Sequence, residues 1–476
     1  MNRTSTMPAP TTETMAPVMD KGESLLHLRR AAYKCESKPR AVVVPKASTN
    51  RGRRPQLFMP RTSQLDLREV FTPTNKGRGW FVLFWIAMTC YVVRQFTINA
   101  MTTGYPIKPS ALRLSEDVLE LIVVDALMLS CTFVAFTWQK LVVWRWVQPD
   151  AWYAYAFQHL AQAALLQAMV GWLWYRTYRW VQTGVLLLHT MVMLMKMHSY
   201  TSNNREFAVK RRAWAQLQAA KDAPSKESLD DLYADFTVAD TQYPANVTLG
   251  NFVDYLLVPA LVYELHYPRI DKIRLGYLAE KVCATFGVFT LLCVTFEDYI
   301  IPILAQLPKL NMGMTILELI TPVMISYLLI FYIIFECICN VFAELTRFAD
   351  RNFYDDWWNS TNFDEYSRRW NRPVHSFLLR HVYFYSIDTY KMSRNSATLL
   401  TFFFSSCLHE LVIIMVVGRV RMYLFILQML QIPLIYLGRL WIFQKYPLIG
   451  NATFWLGMIS GPPMLTVLYC RENYLH

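Results

Sequence analysis

The residues of this sequence that most invite a chemical role are His409 and Glu410, side by side in the apolar run FFFSSCLHELVIIM at 402–415. Such a run is typical of a membrane-spanning helix. A charge at the bilayer centre costs about 2.5–3.5 kcal/mol on insertion scales, so an ionisable residue there is a candidate functional residue. The alternative for His409 is a neutral packing histidine held by a hydrogen bond.

The helical spacing of this segment separates the two residues. At about 100° per residue, Thr401, Ser405 and His409 drift by only about 80° and form one polar stripe. Glu410 lies about 100° away from His409. We therefore expect Glu410 to bond a neighbouring helix, and Ser405 to be a hydrogen-bonding neighbour of the histidine.

A second candidate group occupies the polar stretch 353–381, which combines tryptophans with arginines. Aromatic faces can stack a nucleobase and guanidinium groups can hold phosphates, which would suit a nucleotide-bearing substrate. An aromatic belt at the headgroup level, with the usual positive charge of a cytosolic loop, would have the same composition. The residues are Trp357, Trp358, Trp370, Arg368, Arg369, Arg372 and Arg380.

Pro373 predicts a helix that starts just after Asn371, because proline is favoured at the first helical positions. A helix start offers free N–H donors and the positive end of the dipole. Such a place could hold a developing oxyanion, and Asn371 could add its side-chain amide.

The elements that position these residues are predicted to be membrane helices. The chain has 476 residues, of which 54% are hydrophobic and 17% charged. Apolar runs of about 20 residues recur along it, and we find no internal repeat. We predict an all-α polytopic membrane protein with about nine spans, at 80–99, 119–138, 156–175, 180–200, 282–304, 317–343, 397–417, 422–440 and 448–469.

Residues 1–79 are predicted to be a basic, disordered cytosolic tail that precedes a membrane domain at 80–476. The tail has 15 Lys and Arg against six Asp and Glu, and it lacks the apolar segment of a signal peptide. The positive-inside rule places the N-terminus and the connections 201–281 and 344–396 in the cytosol. No motif that would read bases is present, so we expect no nucleic-acid partner.

Other segments of the chain carry weaker signals. The stretch 225–248 is predicted to be a flexible linker, and 255–274 an interfacial element. His189 and His198 are interpreted as packing histidines without partners. Seven of the nine cysteines lie in apolar spans and no CxxC pair occurs, which argues against a disulfide framework and gives a metal site no support.

The motifs of the chain, taken together, resemble one enzyme family. FYDDWWN at 353–359 resembles the FYxDWWN signature of the sterol O-acyltransferase and diacylglycerol acyltransferase branch of the membrane-bound O-acyltransferase (MBOAT) family. WNRPVH at 370–375 is similar to the asparagine motif of that branch, and LHEL at 408–411 to its active-site histidine segment. LMKMHSY at 194–200, LVYELHYPR at 261–269 and YLFILQMLQIPL at 423–434 also match, in family order. Of these, KMHSY and the QMLQIP segment resemble fungal steryl-ester synthases more than diacylglycerol acyltransferases.

The resemblance implies an MBOAT fold with a buried reaction chamber. It implies an endoplasmic reticulum enzyme, dimeric or tetrameric, that transfers a fatty acyl group from acyl-CoA to the 3β-hydroxyl of a sterol, with acyl-CoA as substrate and no cofactor. His409 would be the catalytic base and Asn371 its catalytic partner, supported by Ser405 and Glu410. The residues linked to acyl-CoA would be Phe353, Tyr354, Asp356, Trp357, Trp358, Asn359, Trp370 and His375.

Three alternatives stay open. Diacylglycerol could be the acceptor instead of a sterol. A covalent acyl-enzyme could form on Ser405, Ser406 or Cys407. In a different class, a transporter or sterol-binding protein could use His409 and Glu410 to line a proton or ligand path.

Overall fold

A computed structural model describes residues 57–66, 78–107, 117–219, 226–238 and 241–474. Most of the predicted tail lies outside the described residues. Within them the chain is almost entirely helical, which confirms the all-α prediction. The only strands in the described ranges, β1 (Thr237–Val238) and β2 (Thr241–Gln242), pair antiparallel.

Four long helices open the membrane domain, and the fourth is the longest. At about 1.5 Å per residue this 40-residue helix is roughly 60 Å long, about twice the hydrocarbon thickness of a bilayer. Its polar C-terminal half therefore extends beyond the membrane. The four helices are α1 (Arg78–Thr103), α2 (Val118–Val143), α3 (Trp152–Arg176) and α4 (Trp180–Ala219).

The remaining helices alternate long spans with short connecting pieces. Two short ones, α5 (Lys226–Ala234) and α6 (Leu249–Leu257), precede the spans α7 (Leu275–Leu304) and α8 (Met312–Leu345). A 3₁₀ turn at Trp357–Asn359, α9 (Phe363–Arg369) and α10 (372–390) lead to α11 (Arg394–Val417). The chain ends with α12 (Tyr423–Met429), α13 (Gln431–Gly438), α14 (Trp441–Lys445) and α15 (Pro447–Tyr474).

Six helices of the described chain are long and apolar enough to cross a membrane: α1, α2, α4, α7, α8 and α11. The predicted third and ninth spans coincide with α3 and α15, but neither reaches that apolar composition. The predicted eighth span is divided between α12 and α13. The count of nine is therefore not confirmed, although every predicted span coincides with helix.

The long helices pack around α4, which contacts α2, α3 and α11. On the other side, α8 packs against α7 and α15. The middle part of α10, a π turn at Leu379–Phe384, packs against α11. This packing brings the helix that carries His409 against the one that begins after Asn371.

The first part of the segment predicted to lie at the membrane interface, residues 255–267, is instead mostly buried in the core. Tyr255, Val258 and Tyr263 have no exposed surface. Buried backbone that is not helical needs hydrogen-bond partners for its polar groups. Lys196 of α4 supplies them, because its Nζ donates to the carbonyls of Tyr255 at 2.9 Å, Val258 at 2.6 Å and Ala260 at 3.0 Å.

The prediction of a flexible linker at 225–248 is also wrong for its described part. This stretch forms α5 and the β1–β2 hairpin. Phe236, Tyr243 and Val247 are at most 3% exposed and join the main core. Their burial holds the connection against the projecting end of α4.

Part of the predicted tail packs on the domain, and we call residues 57–66 the strap. Phe58 packs between Tyr267 and Phe348, with ring centroids 5.3 and 5.6 Å away. Arg61 pairs with Asp350 at 2.9 Å, and Ser63 donates to the buried Glu336 of α8. The strap, the 255–267 segment and the residues after α8 therefore share one side of the helices.

We predict that Lys196→Met lowers the stability of the protein by about 2–5 kcal/mol, because three buried carbonyls lose a charged donor. The melting temperature of the detergent-purified protein, followed by size-exclusion chromatography after heating, measures this. Lys272→Met is the matched control, since Lys272 is exposed. Equal melting temperatures for the two variants would contradict the role given to Lys196.

Candidate active site

His409 lies in the second half of α11 and has an exposed side chain. Its Nδ1 is 2.8 Å from the backbone carbonyl oxygen of Ser405, one turn earlier. A carbonyl can only accept a hydrogen bond, so Nδ1 carries the hydrogen and Nε2 carries the lone pair. Nε2 has no partner within the described residues. The geometry leaves Nε2 as the ring nitrogen that is available to a substrate.

Ser405, the hydrogen-bonding neighbour predicted for His409, therefore contacts it through its backbone carbonyl and not through its hydroxyl. Ser405 contributes the carbonyl oxygen that fixes the tautomer of the imidazole. Because the bond runs from residue 409 back to residue 405, a regular helix supplies the acceptor whatever side chain stands at 405.

Glu410 points away from His409 and is 1% exposed. Its carboxylate accepts hydrogen bonds from the N–H of Met422 at 2.8 Å and of Phe425 at 3.0 Å. The hydroxyl of Tyr469 donates to both oxygens at 3.0 Å. Glu410 therefore joins α11 to the start of α12 and to α15, as the angular spacing predicts.

Asn371 is the N-cap of α10. Its Oδ1 accepts the N–H of Val374 at 3.1 Å, and Pro373 occupies the first turn, where a missing N–H costs nothing. The cap fixes the orientation of the side-chain amide. Its Nδ2 has no partner in the part of the chain that the structure describes, so two donor hydrogens are available to a substrate.

The aromatic residues of the FYDDWWN segment form a core beneath the loop. Phe353, Tyr354 and Trp357 are at most 2% exposed. The ring of Trp357 lies 4.9 Å from Trp370 and 5.3 Å from Phe331 between centroids. Trp357 therefore has no free face for a nucleobase, contrary to that interpretation of the three tryptophans.

Trp370 is also engaged within the protein, since it stacks on Tyr327 of α8 with centroids 4.7 Å apart. Tyr354 donates from its hydroxyl to Glu336 at 2.6 Å. Burial, with the carboxylate beside it, raises the pKa of Tyr354 well above its ordinary value. These bonds attach the loop to α8.

Five of the eight residues linked to acyl-CoA are only partly buried or are exposed: Asp356, Trp358, Asn359, Trp370 and His375. The carbonyl of Trp358 accepts from Asn451 Nδ2 at 2.9 Å and Trp455 Nε1 at 3.1 Å, which ties the loop to α15. The outer side chains of the motif therefore stand on a fixed backbone.

His375 follows Asn371 by one turn of α10. Burial lowers its pKa from 6.5 to about 4, and the positive charges of Arg368 and Arg372 act in the same direction. His375 is therefore neutral at physiological pH. It can donate or accept a hydrogen bond there but cannot pair with an anion as a cation.

A cleft lies next to the start of α10, between the strap and residues 259–262. Its floor is apolar, with Phe58, Leu261 and Phe353. Arg61 and Arg372 lie at its edge, each paired with an aspartate. The strap thus forms one wall of the space beside Asn371.

The histidines interpreted as unpaired both have partners. His189 Nδ1 is 2.6 Å from Asp125 Oδ1 of α2. His198 contacts Gln158 of α3 at 3.2 Å and packs edge-on against His381, whose Nε2 lies 2.9 Å from Ser199 Oγ. Asp125 and Gln158 each lie more than 30 residues from their histidine in sequence, so the spacing of residues along the chain could not predict these pairs.

Comparison with known proteins identifies the class. Residues 79–471 match the model of the membrane-bound O-acyltransferase family. The chain belongs to this family, and the predicted resemblance to its sterol O-acyltransferase branch is confirmed.

Individual relatives agree with this assignment. The chain is 35% identical to the probable sterol O-acyltransferase 2 of Schizosaccharomyces pombe, over 82% of this chain and 86% of the relative. It is 32% identical to sterol O-acyltransferase 1 of Saccharomyces cerevisiae, over 82% of this chain and 68% of the relative. Diacylglycerol O-acyltransferase 1 of Dictyostelium discoideum is 35% identical, but over only 49% of this chain and 38% of the relative.

The lowered pKa of His375 predicts that the folded protein loses stability at acidic pH. The unfolded chain takes up a proton near pH 6.5, whereas the folded protein resists protonation of His375 until about pH 4. Stability linked to this group is complete above pH 6.5 and falls as pH drops towards 4. His375→Gln should flatten the fall of melting temperature between pH 7 and 4.5, and His266→Gln, at an exposed position, should not. Parallel curves for wild type and His375→Gln would contradict the burial argument.

Proposed function

We propose that this chain transfers a long-chain fatty acyl group from acyl-CoA to the 3β-hydroxyl of a sterol and so makes steryl esters for storage. The sterol O-acyltransferase relatives, which align over most of the chain, support this substrate class. The observation that carries the chemistry is His409, whose Nδ1–H is fixed on a carbonyl and whose Nε2 is free.

The reaction needs a base and an oxyanion donor. His409 Nε2 takes the hydroxyl proton as the sterol oxygen attacks the thioester carbonyl. Asn371 Nδ2 donates to the oxyanion of the tetrahedral intermediate, an interaction worth about 3–4 kcal/mol in comparable enzymes. The intermediate collapses to the ester and expels the CoA thiolate, a good leaving group because a thiol has a pKa of about 8.5. The imidazolium then returns its proton to the thiolate.

The acyl-CoA residues divide into two groups in this proposal. Asp356, Trp358, Asn359 and His375 contact the substrate. Phe353, Tyr354, Trp357 and Trp370 hold the loop in shape through the buried contacts described above.

The setting we propose is the endoplasmic reticulum membrane, with the N-terminus in the cytosol. The strap and the two basic connections share one side of the helices, which agrees with the positive-inside rule for that side. Water-soluble acyl-CoA would enter from there, and the sterol from the bilayer. We also propose a homodimer or homotetramer, on the resemblance to the family alone.

The competing functions are less favoured. The diacylglycerol O-acyltransferase match covers half of the chain, whereas sterol O-acyltransferases match over most of it. A transport path shared by His409 and Glu410 is opposed by the bonds of Glu410, which engage both carboxylate oxygens in the interior.

The substrate class is tested with membranes that contain the chain. Given labelled oleoyl-CoA together with ergosterol, cholesterol or diacylglycerol, they should make steryl ester. His409→Ala should lower the rate by about 10²–10⁴-fold at an unchanged protein level, because the base is lost. Cys407→Ala should remain active, since the mechanism needs no acyl-enzyme. Triacylglycerol as the main product would overturn the sterol assignment.

The two roles of Asn371 can be separated by substitution. Asn371→Asp keeps an oxygen that caps α10 but removes the Nδ2 donor, so we expect kcat to fall by about 10²–10³-fold with little change in melting temperature. Asn371→Ala removes both and should lose stability as well. A fully active aspartate variant would show that Asn371 serves only as a cap.

A further inference from the structure

The pair of Asp125 and His189 is unusual because it has no part in the mechanism above. The two side chains lie on neighbouring membrane helices, α2 and α4, and are 30% and 33% exposed. The residues around them are exposed and apolar: Ile122, Val185 and Leu188 are 50–60% exposed. An ionisable pair on an apolar face at membrane depth is costly and marks a candidate binding site.

The hydrogen-bonding pattern of the pair defines what it can hold. With Nδ1 bonded to the carboxylate, the hydrogen lies on Nδ1 and the Nε2 lone pair faces outwards. Nε2 has no partner among the described residues. A hydroxyl that arrives through the apolar surface can donate to Nε2. Such a bond compensates for the water that a hydroxyl loses at this depth.

Along their helices, the pair and His409 lie at similar distances from the helix ends on one side of the protein. The chain leaves the strap side through α1 and reverses at each connection, so α2 and α4 both begin on the opposite side. Asp125 is seven residues into α2 and His189 nine residues into α4, about 10 and 14 Å from that side. His409 is eight residues before the end of α11 on the same side, or about 12 Å.

We infer that Asp125 and His189 form a staging site for the 3β-hydroxysterol, which binds with its hydroxyl on His189 Nε2 before it reaches His409. The inference rests on the proposed function for the identity of the acceptor. Because α4 packs against α11, the sterol moves between the two sites laterally, without a change in the depth of its hydroxyl.

The kinetic test compares variants of the pair with a matched control variant. His189→Leu and Asp125→Asn should raise the KM for sterol about three- to tenfold, the effect of one hydrogen bond. The KM for oleoyl-CoA should not change, and neither should kcat at saturating sterol. Leu127→Ala, at an exposed apolar position of α2 about 200° around the helix from Asp125, is the control and should behave as wild type. A loss of kcat as large as that of His409→Ala would place the pair in the chemistry and overturn the staging role.

A second measurement does not depend on turnover. A photoreactive sterol that keeps its 3β-hydroxyl should label α2 and α4 in wild-type membranes. Unlabelled 3β-hydroxysterol should compete, and its 3-methyl ether, which has no O–H to donate, should not. Labelling that His189→Leu leaves unchanged would refute the site, provided that the variant elutes as wild type on size exclusion. If membranes make no steryl ester yet labelling follows this pattern, the proposed function fails and the sterol site stands.

Discussion

The fold around the site depends on one requirement: the carbonyls at the C-terminal end of α6 and in the non-helical residues that follow it must find donors inside an apolar core. Lys196 meets it with three hydrogen bonds to Tyr255, Val258 and Ala260. Ser199 and Asn203 of the same helix add bonds to the N–H and the carbonyl of Tyr263. Residues 196, 199 and 203 follow one another at spacings of three and four, so they form a single face of α4. That face sets the path of the connection from 255 to 267.

Contacts continue from this connection to the helices that carry both candidate catalytic residues, Asn371 and His409. Glu264 pairs with Arg380 of α10, and Ser199 bonds His381 in the next position. These contacts fix the middle of α10, whose first residue follows Asn371. The same part of α10 packs against α11, which carries His409. A substitution at Lys196 would therefore change the positions of Asn371 and His409 through packing, although Lys196 contacts neither residue directly.

The sequence alone predicted those features whose signal is local. Helical spans follow from apolar runs, the start of α10 from Pro373, and the separate role of Glu410 from its angle to His409. Features that depend on distant partners were missed. The carbonyls at 255–260 are bonded by a lysine about 60 residues earlier, and Asp125 lies 64 residues from His189. The burial of Trp357 in FYDDWWN was not predicted, because composition does not show whether an aromatic face points inwards or outwards.

The two membrane histidines illustrate how an orienting partner suits an imidazole to its task. His189 is oriented by a carboxylate, which fixes the hydrogen on Nδ1 and makes Nε2 a stronger hydrogen-bond acceptor. This suits a group that holds a hydroxyl. His409 is oriented by a neutral backbone carbonyl, which fixes the same tautomer without a charge of its own beside the ring. In the proposed mechanism this suits a base, because a carbonyl, unlike a carboxylate, carries no net charge to hold the proton that the ring must return to the thiolate.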